Sequence, residues 1–188
     1  MVRIHVMGAS GSGTTSLGIA LAKGLGIPHL DSDDFYWMPT DPPYTTPREM
    51  GARIAMLEEQ ASTDGGWVLT GSALKWGMSI EPFYQLIVFL RLDPAVRMER
   101  IRKRETERYG ARIEPGGDMA EKSRAFLEWA ESYDVAGPEQ RSLAAHEAWL
   151  ETQTAPVLRL DSIHPVTELI KTVLRHPIVQ GRAVLSAR

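Results

Sequence analysis

The 188-residue sequence contains no cysteine. This absence excludes disulfide bonds, zinc-thiolate sites and thiol nucleophiles, and it suits a reducing compartment. Net charge is also small: the formal value is −3 and the isoelectric point is about 6.0, which does not favour nucleic acid as a partner. No apolar run has the length of a membrane span, and the first residues have the pattern of a core strand, not of a signal peptide. We therefore expect a cytoplasmic globular protein that has no membrane partner.

Glycine, by contrast, is concentrated near the start of the chain. Residues 2–7 form an apolar, strand-like run, residues 8–15 read GASGSGTT, and a helical pattern begins at Thr14. Glycines in such a turn let successive backbone N–H groups surround a phosphate, and the N-terminus of the following helix attracts the same anion. We expect this glycine-rich loop (residues 8–15) to bind a nucleotide, the alternative being a structural turn without a ligand. The predicted nucleotide-binding residues are Gly8, Ala9, Ser10, Gly11, Ser12, Gly13, Thr14 and Thr15.

The loop departs at one position from the spacing G-x-x-x-x-G-K-[ST], the Walker A pattern of P-loop NTPases. Thr14 occupies the place of the lysine, which normally reaches the outer phosphates. The next residue, Thr15, keeps the hydroxyl that normally binds Mg²⁺. The loop therefore predicts nucleotide binding, whereas the missing lysine leaves open whether phosphate is transferred.

Strand-like and helical segments alternate along the chain, which predicts an α/β fold. We expect a three-layer α/β/α arrangement in which helices cover both faces of a five-stranded parallel sheet. It is predicted to form one domain over residues 1–175, with a short lid at about 105–118 and a loose tail at 176–188. The expected strands are 2–7, 27–30, 67–70, 86–90 and 156–160. The expected helices are 14–25, one from a cap at Thr46 to 61, one after Asp93, one from Asp118 to 133, one from Pro138 to 151, and one from Pro165.

Acidic residues follow the second predicted strand. Because ligands of parallel sheets bind at the carboxyl ends of the strands, Asp31, Asp33 and Asp34 stand where chemistry is expected. Such carboxylates can accept a proton from an attacking hydroxyl or bind Mg²⁺ through water. The alternative is a helix cap or a solvated acidic turn. Trp37 follows shortly after and is a candidate wall of a substrate pocket.

The third and fourth strands are followed by a serine, a lysine and a basic helix. Gly71 would let a ligand approach the backbone, Ser72 offers a hydroxyl, and Lys75 is a mobile cation that is equally consistent with an ordinary surface lysine. Arg100 and Arg104 stand four residues apart, on one face of a predicted helix. Guanidinium groups stack on bases and bind phosphate oxygens, although an exposed basic helix would show the same pattern.

Together these residues resemble the adenylate kinase-like branch of P-loop kinases, over roughly residues 3–174. In shikimate kinase-like members a D-x-D after strand two binds Mg²⁺ and the acceptor hydroxyl, which corresponds to Asp31 and Asp33. Gluconate kinase-like members carry a run like SALK at residues 72–75, and nucleoside monophosphate kinase-like members carry two lid arginines like Arg100 and Arg104. The runs HLDSDDFYW and GWVLTGS also resemble DNA topology modulation proteins, which are themselves kinase-like.

The resemblance implies ATP-dependent phosphoryl transfer to a small-molecule hydroxyl or phosphate acceptor, either nucleoside-like or sugar-like, with ATP and Mg²⁺. Asp33, Arg104 and Lys75 would be catalytic, Thr15 and Asp31 would bind Mg²⁺, and Arg100 would bind the nucleotide. The acceptor would contact Asp31, Asp33, Trp37, Gly71 and Ser72. A further departure is Thr70, where nucleotide kinases of this branch usually carry an aspartate. A nucleotide-binding regulatory protein without turnover is the main alternative; a nucleic-acid-associated protein is disfavoured, and a monomer or homodimer is expected.

Overall fold

The computed structural model describes residues 1–62 and 65–183. Its centre is a five-stranded sheet in the order β2-β3-β1-β4-β5, and the registers of β1 with β3 and β4, and of β2 with β3, are parallel. The predicted five-stranded α/β fold is therefore confirmed. The strands are β1 (Arg3–Gly8), β2 (His29–Asp31), β3 (Trp67–Thr70), β4 (Leu86–Arg91) and β5 (Val157–Asp161).

Helices separate the strands along the chain. They are α1 (Thr14–Leu25), α2 (Ser32–Tyr36), α3 (Met50–Ala61), α4 (Pro94–Tyr109), α5 (Ala120–Glu131), α6 (Leu143–Glu151), α7 (Val166–Leu174) and α8 (Pro177–Ala183). Short 3₁₀ turns occupy Glu81–Phe83, Gly110–Ile113 and Ser132–Asp134. Within the described ranges no helix has both the length and the apolar character of a membrane span.

The central strands are buried because their side chains are apolar on both faces. All four residues of β3 and the first five of β4 are buried, as expected for parallel strands with a layer on each side. One face packs against α1 and α7, whose Leu17, Leu21, Leu169 and Val173 are buried in the same cluster as Val6 and Val88. This packing fixes the carboxyl end of β1, where the glycine-rich loop begins.

The chain divides into two compact units. The first contains Met1–Gly8, Gly13–Leu90 and the chain from Gln153 onward, and it holds the sheet. The second contains Ala9–Ser12 and Arg91–Thr152, and it holds α4, α5 and α6. The residues expected to form a lid, 105–118, belong to the second unit, as the end of α4 and the turn after it.

Several predicted helix starts were wrong. α3 begins at Met50, where the Glu49 carboxylate accepts a hydrogen bond from the Ala52 N–H at 2.9 Å, because Pro47 forms an isolated bridge with Trp37 instead of a first helical turn. The segment after β2 forms the short helix α2, which the sequence analysis did not predict.

The later corrections have similar local causes. Asp118 does not cap α5, because both of its carboxylate oxygens accept hydrogen bonds from the Arg112 guanidinium. α6 begins at Leu143 and not at Pro138, because the Ser142 hydroxyl accepts from the Ala145 N–H. The predicted loose tail forms α8 over Pro177–Ala183, and its remaining residues, 184–188, lie outside the described range.

The histidine of β1 makes stability depend on pH. His5 is 1% exposed and stacks on Tyr84 with ring centroids 4.8 Å apart, and burial lowers its pKa from 6.5 to about 4. Between these two values the unfolded chain binds a proton that the folded chain does not. The contribution of His5 to the free energy of unfolding is therefore fully present above pH 6.5 and is lost as the pH drops toward 4.

We expect His5→Phe to flatten this dependence, because phenylalanine keeps the stacked ring and cannot titrate. The wild type should lose about 3 kcal/mol between pH 7 and pH 4 that the variant does not lose. Urea unfolding at several pH values measures the difference. His164→Gln is the matched control, since that side chain is exposed, and an unchanged slope in His5→Phe would contradict the assignment.

Candidate functional site

In the first unit, the start of α1 is joined to the end of β2 by one side-chain hydrogen bond. Gly13 has a φ of 90°, which only glycine adopts readily, and it turns the chain into α1 at Thr14. The Thr15 hydroxyl then donates to the Asp31 carboxylate, with 3.0 Å between Oγ1 and Oδ2. The two residues predicted to bind Mg²⁺ are therefore adjacent.

Asp31 also places the remaining carboxylates. Its second oxygen, Oδ1, accepts a hydrogen bond from the backbone N–H of Asp33 at 3.0 Å and so caps α2. Asp33 and Asp34 stand in the first turn of that helix, with both side chains exposed. Burial, with a contribution from the charge of Asp31, raises the pKa of Asp34. The cap thus presents Asp33 at the end of β2, where an acceptor hydroxyl is expected.

Thr70 has a packing role in this structure. It is fully buried, and its hydroxyl lies 3.0 Å from His29 Nε2. Burial lowers the pKa of His29, against an opposing effect of Asp31 and Asp34. The methyl group of Thr70 lies so close to Gly18 of α1 that an added Cβ there would be 2.0 Å away. Thr70 therefore holds β3 against α1 and the His29 side chain.

The predicted acceptor residues Gly71 and Ser72 lie against α2. Gly71 has a φ of 92°, and a Cβ at this position would stand 1.9 Å from the Ser32 hydroxyl oxygen. That hydroxyl oxygen accepts a hydrogen bond from the Ser72 N–H at 3.1 Å. The carboxyl end of β3 is thereby joined to the helix that carries Asp33.

The other two predicted residues of the first unit occupy more open positions. Trp37 is half-buried at the end of α2, where its ring packs edge-on against Tyr36 and Tyr44 at centroid distances of 4.8 and 6.2 Å. Lys75 is exposed and has a φ of 70°, an uncommon backbone conformation for a residue with a side chain. Its catalytic role stays a prediction.

In the second unit, Gly11 of the glycine-rich loop packs directly on α4. Gly11 has a φ of 82°, and a Cβ there would lie 2.8 Å from Ile101 Cγ1 and 2.9 Å from the Arg97 carbonyl oxygen. The turn is closed by Ser12, whose N–H and hydroxyl both donate to the Ala9 carbonyl, at 3.1 and 2.8 Å. Only glycine fits at position 11, as expected where a backbone must curve closely.

The arginines of α4 differ in their surroundings. Arg100 is exposed, whereas Arg104 is half-buried, with its guanidinium 5.9 Å from the ring centroid of Phe126 on α5. Arg112, beyond the end of α4, forms an ion pair with Asp118 at 2.7 Å, and this arginine holds the pKa of Asp118 below its usual value. The turn between these two residues is thus closed by an ion pair, and Arg112 is engaged within it.

Sequence reasoning missed two buried arginines. Arg97 is 1% exposed and donates to the Ala130 carbonyl at 2.8 Å and to the Asp134 carboxylate at 2.5 Å, which fastens α4 to the residues around the end of α5. Arg53, on α3, is 8% exposed. The available signal was position: Arg97 and Arg53 each stand four residues before a buried apolar residue, Ile101 and Leu57, on the inner face of their helices.

These residues fit a phosphate and a magnesium ion. In the second unit, the turn at Gly11, with its φ of 82°, is typical of a backbone that curves around a phosphate. In the first unit, the start of α1 supplies N–H groups that attract an anion. A hydroxyl beside a carboxylate, Thr15 and Asp31, is a donor set that Mg²⁺ accepts, with waters and phosphate oxygens completing its shell. In the described part of the chain no group of three or more His, Cys, Asp or Glu residues is assembled to hold a metal.

Comparison with known proteins identifies one close relative. The chain is 42% identical over 171 residues to the uncharacterized protein YqaC of Bacillus subtilis (strain 168), and this alignment covers 91% of the chain and 94% of the relative. No protein-family model matches the chain.

Solved structures of small-molecule kinases share the fold. A gluconokinase from Sinorhizobium meliloti 1021 matches with a TM-score of 0.54 at 17% identity, over 99% of this chain and 95% of that chain. A shikimate kinase from Bacteroides thetaiotaomicron matches with a TM-score of 0.53 at 18% identity, over 92% of this chain and 96% of that chain. At these identities the likeness shows the P-loop kinase-like fold.

We expect Gly11→Ala to weaken nucleotide binding at least about tenfold, because the new Cβ would strain the backbone and push the loop away from α4. Titration with a fluorescent ADP analogue measures the affinity. Gly24→Ala is the matched control, since a Cβ there meets nothing within 4 Å. Equal affinities of the two variants would contradict the role of the cradle.

We expect Thr15→Val to remove most of the effect of Mg²⁺ on ADP affinity, because valine keeps the shape and loses the hydroxyl. Thr15→Ser should retain that effect. Repeating the ADP titration over a range of Mg²⁺ concentrations separates the variants, and a valine variant with the wild-type Mg²⁺ response would show that Thr15 does not bind the metal.

Proposed function

The chain belongs to the family of YqaC from Bacillus subtilis, and we propose that it transfers the γ-phosphoryl group of ATP to a small-molecule acceptor. The observation that carries the proposal is the linked set Thr15, Asp31 and Asp33, joined by two hydrogen bonds of 3.0 Å at the end of β2. The solved structures with the same fold include proteins titled gluconokinase, shikimate kinase and sugar kinase, which supports a small-molecule acceptor.

Each part of the proposed site has its own role in the reaction. The backbone of the glycine-rich loop binds the phosphates of ATP. Thr15 and Asp31 would hold Mg²⁺, which would neutralise charge on the phosphate oxygens when bound. The oxygen of the acceptor hydroxyl bonds to the γ-phosphorus, and the bond between that phosphorus and the leaving ADP breaks. Asp33 accepts the proton that the hydroxyl loses. Ser72 and Trp37 contact the acceptor beside Asp33.

The absence of a lysine at position 14 raises the question of which residues supply positive charge to the transferred phosphate. A preorganised charged donor of this kind typically contributes about 3–4 kcal/mol to the barrier, and the Thr14 hydroxyl replaces only part of it. Arg100 and Arg104 lie on α4, the helix on which Gly11 of the loop packs, and we propose that they supply positive charge to the bound nucleotide. Lys75 is the corresponding candidate on the first unit.

Thr14 also favours a second candidate function, a nucleotide-binding regulatory protein without turnover. Such a protein would bind ATP or ADP through the same loop and form no phosphorylated product. The two candidates therefore differ in turnover and not in binding.

The deciding experiment incubates the protein with γ-labelled ATP, Mg²⁺ and a panel of nucleosides, nucleotides, sugars and sugar acids. We expect at least one acceptor to be phosphorylated, and Asp33→Asn to abolish this product while ADP affinity is retained. ADP binding without product from any acceptor in the panel would favour the regulatory alternative.

Thr14→Lys tests whether charge has been replaced elsewhere in the site. If Arg100, Arg104 or Lys75 compensates, the variant should turn over no faster than the wild type. A gain of about a hundredfold, the size expected for a restored donor, would instead identify the natural protein as a weakened enzyme. Steady-state rates at saturating ATP make this comparison.

A further inference from the structure

The helix that carries Asp33 is too short to be stable by itself. α2 spans five residues, Ser32–Tyr36, and an isolated helix of this length does not form in water. Its first turn is held by the Asp31 carboxylate, which accepts from the Asp33 N–H. Its last turn also needs a partner, because the carbonyl groups at the end of a helix find no donor within that helix.

Arg48 is the partner of that last turn, and it reaches α2 from beyond the loop 38–47. Its Nε donates to the Phe35 carbonyl at 3.0 Å, and its Nη2 donates to the Trp37 carbonyl at 3.3 Å. Its backbone N–H donates to the Tyr36 carbonyl at 2.7 Å. Three consecutive carbonyl groups at the end of α2 therefore accept hydrogen bonds from one residue.

The guanidinium of Arg48 is engaged on all three of its nitrogens. The third nitrogen, Nη1, donates to the Met38 sulfur at 3.4 Å, which is a weak acceptor. Among the described residues no carboxylate lies within 4.0 Å of the group. The cation thus faces carbonyl dipoles at the negative end of a helix, and it contacts two of them with a rigid fork that a lysine cannot reproduce.

The contact extends from Arg48 to Asp33 through one backbone hydrogen bond. The Asp33 carbonyl accepts from the Trp37 N–H at 3.0 Å, and the carbonyl of Trp37 is the one that Arg48 Nη2 binds. The backbone of the proposed general base is therefore held at its N–H by Asp31 and at its carbonyl through Arg48. The same arginine fixes Trp37, the proposed wall of the acceptor pocket.

We propose that Arg48 is a positioning residue for phosphoryl transfer, which places Asp33 and Trp37 against the acceptor and acts through them without binding a ligand itself. This inference rests on the proposed function. The nucleotide side of the first unit is held separately, because Thr15 donates to Asp31 at the opposite end of α2. Loss of the Arg48 fork should therefore impair turnover of the acceptor and leave ADP binding and its response to Mg²⁺ intact.

Arg48→Lys tests this role, because it keeps the positive charge and loses the fork. With the acceptor that the labelled-ATP panel identifies, kcat should fall about a hundredfold, the loss expected when a reacting group is misplaced by about 1 Å. ADP affinity and its response to Mg²⁺ should stay within about twofold of the wild type. The matched control is Arg102→Lys, since Arg102 is exposed. A wild-type kcat in Arg48→Lys, or an equal loss of ADP affinity, would overturn the proposal.

Hydrogen exchange tests the anchoring of α2 without turnover. The Trp37 N–H, which donates to Asp33, should exchange at least about tenfold faster in Arg48→Lys than in the wild type. The Leu17 N–H, which donates to the Gly13 carbonyl at 3.0 Å in α1, should not change. Unchanged exchange at Trp37 would overturn the proposal. If Trp37 responds but the wild type phosphorylates no acceptor in the panel, the anchoring is retained and the kinase function fails.

A measurement on the wild type covers the case in which Arg48→Lys does not fold. The Arg48 Nε–H proton, observed by NMR, should exchange with solvent at least about tenfold more slowly than that of Arg102, because it is bound to the Phe35 carbonyl. Inorganic phosphate and acetate, titrated separately, should shift the two signals equally. Exchange as fast as that of Arg102 would exclude the anchor, and a saturable shift confined to Arg48 would identify a ligand-binding arginine in place of a positioning one.

Discussion

Asp31 accepts two hydrogen bonds on which the proposed chemistry of the first unit depends. One comes from the Thr15 hydroxyl at the start of α1 and the other from the Asp33 N–H at the start of α2. A carboxylate with both oxygens engaged is fixed in direction, and each of its partners lies in the first turn of a helix. The same side chain therefore sets the positions of a metal-binding hydroxyl and of a candidate general base.

The two buried arginines, Arg97 and Arg53, differ in how their positive charge is balanced. Arg97 donates to a carbonyl and to the Asp134 carboxylate, so its charge is balanced within the second unit and its role in fastening α4 is complete. Arg53 is bordered by aromatic rings and donates one side-chain hydrogen bond, to a carbonyl. Both arginines are buried, and they differ in charge balance: Arg97 pairs with the Asp134 carboxylate, whereas the described residues give Arg53 no carboxylate within 4.0 Å.

Sequence periodicity predicted the sheet well because its signals are strong and local. The run at β4 is apolar on both faces, and the glycine at position 13 marks the start of α1, so fold class and loop followed from a few residues. Helix starts were less predictable, because a proline or an aspartate caps a helix only if no other partner competes; Asp118, which pairs with Arg112, is the clearest example. The position of Arg53 four residues before Leu57 indicates its burial, but its aromatic neighbours Tyr36 and Trp76 are distant in the chain and could not be predicted from the sequence.

The two departures from the resembled kinases are best understood together. In the resemblance drawn from the sequence, Thr14 stands at the position of a lysine and Thr70 at a position where an aspartate is usual. Thr70 packs under Gly18, one helical turn after Thr14, so both changes affect the same end of α1. An aspartate at position 70 would be buried, as Thr70 is, and a buried carboxylate without a cation beside it is costly. Loss of both charges keeps the balance, with a hydroxyl that hydrogen-bonds to His29 in place of the carboxylate. The pair of threonines leaves this end of α1 with fewer charges, so the proposed reaction needs positive charge from other residues, for which Arg100, Arg104 and Lys75 are the candidates.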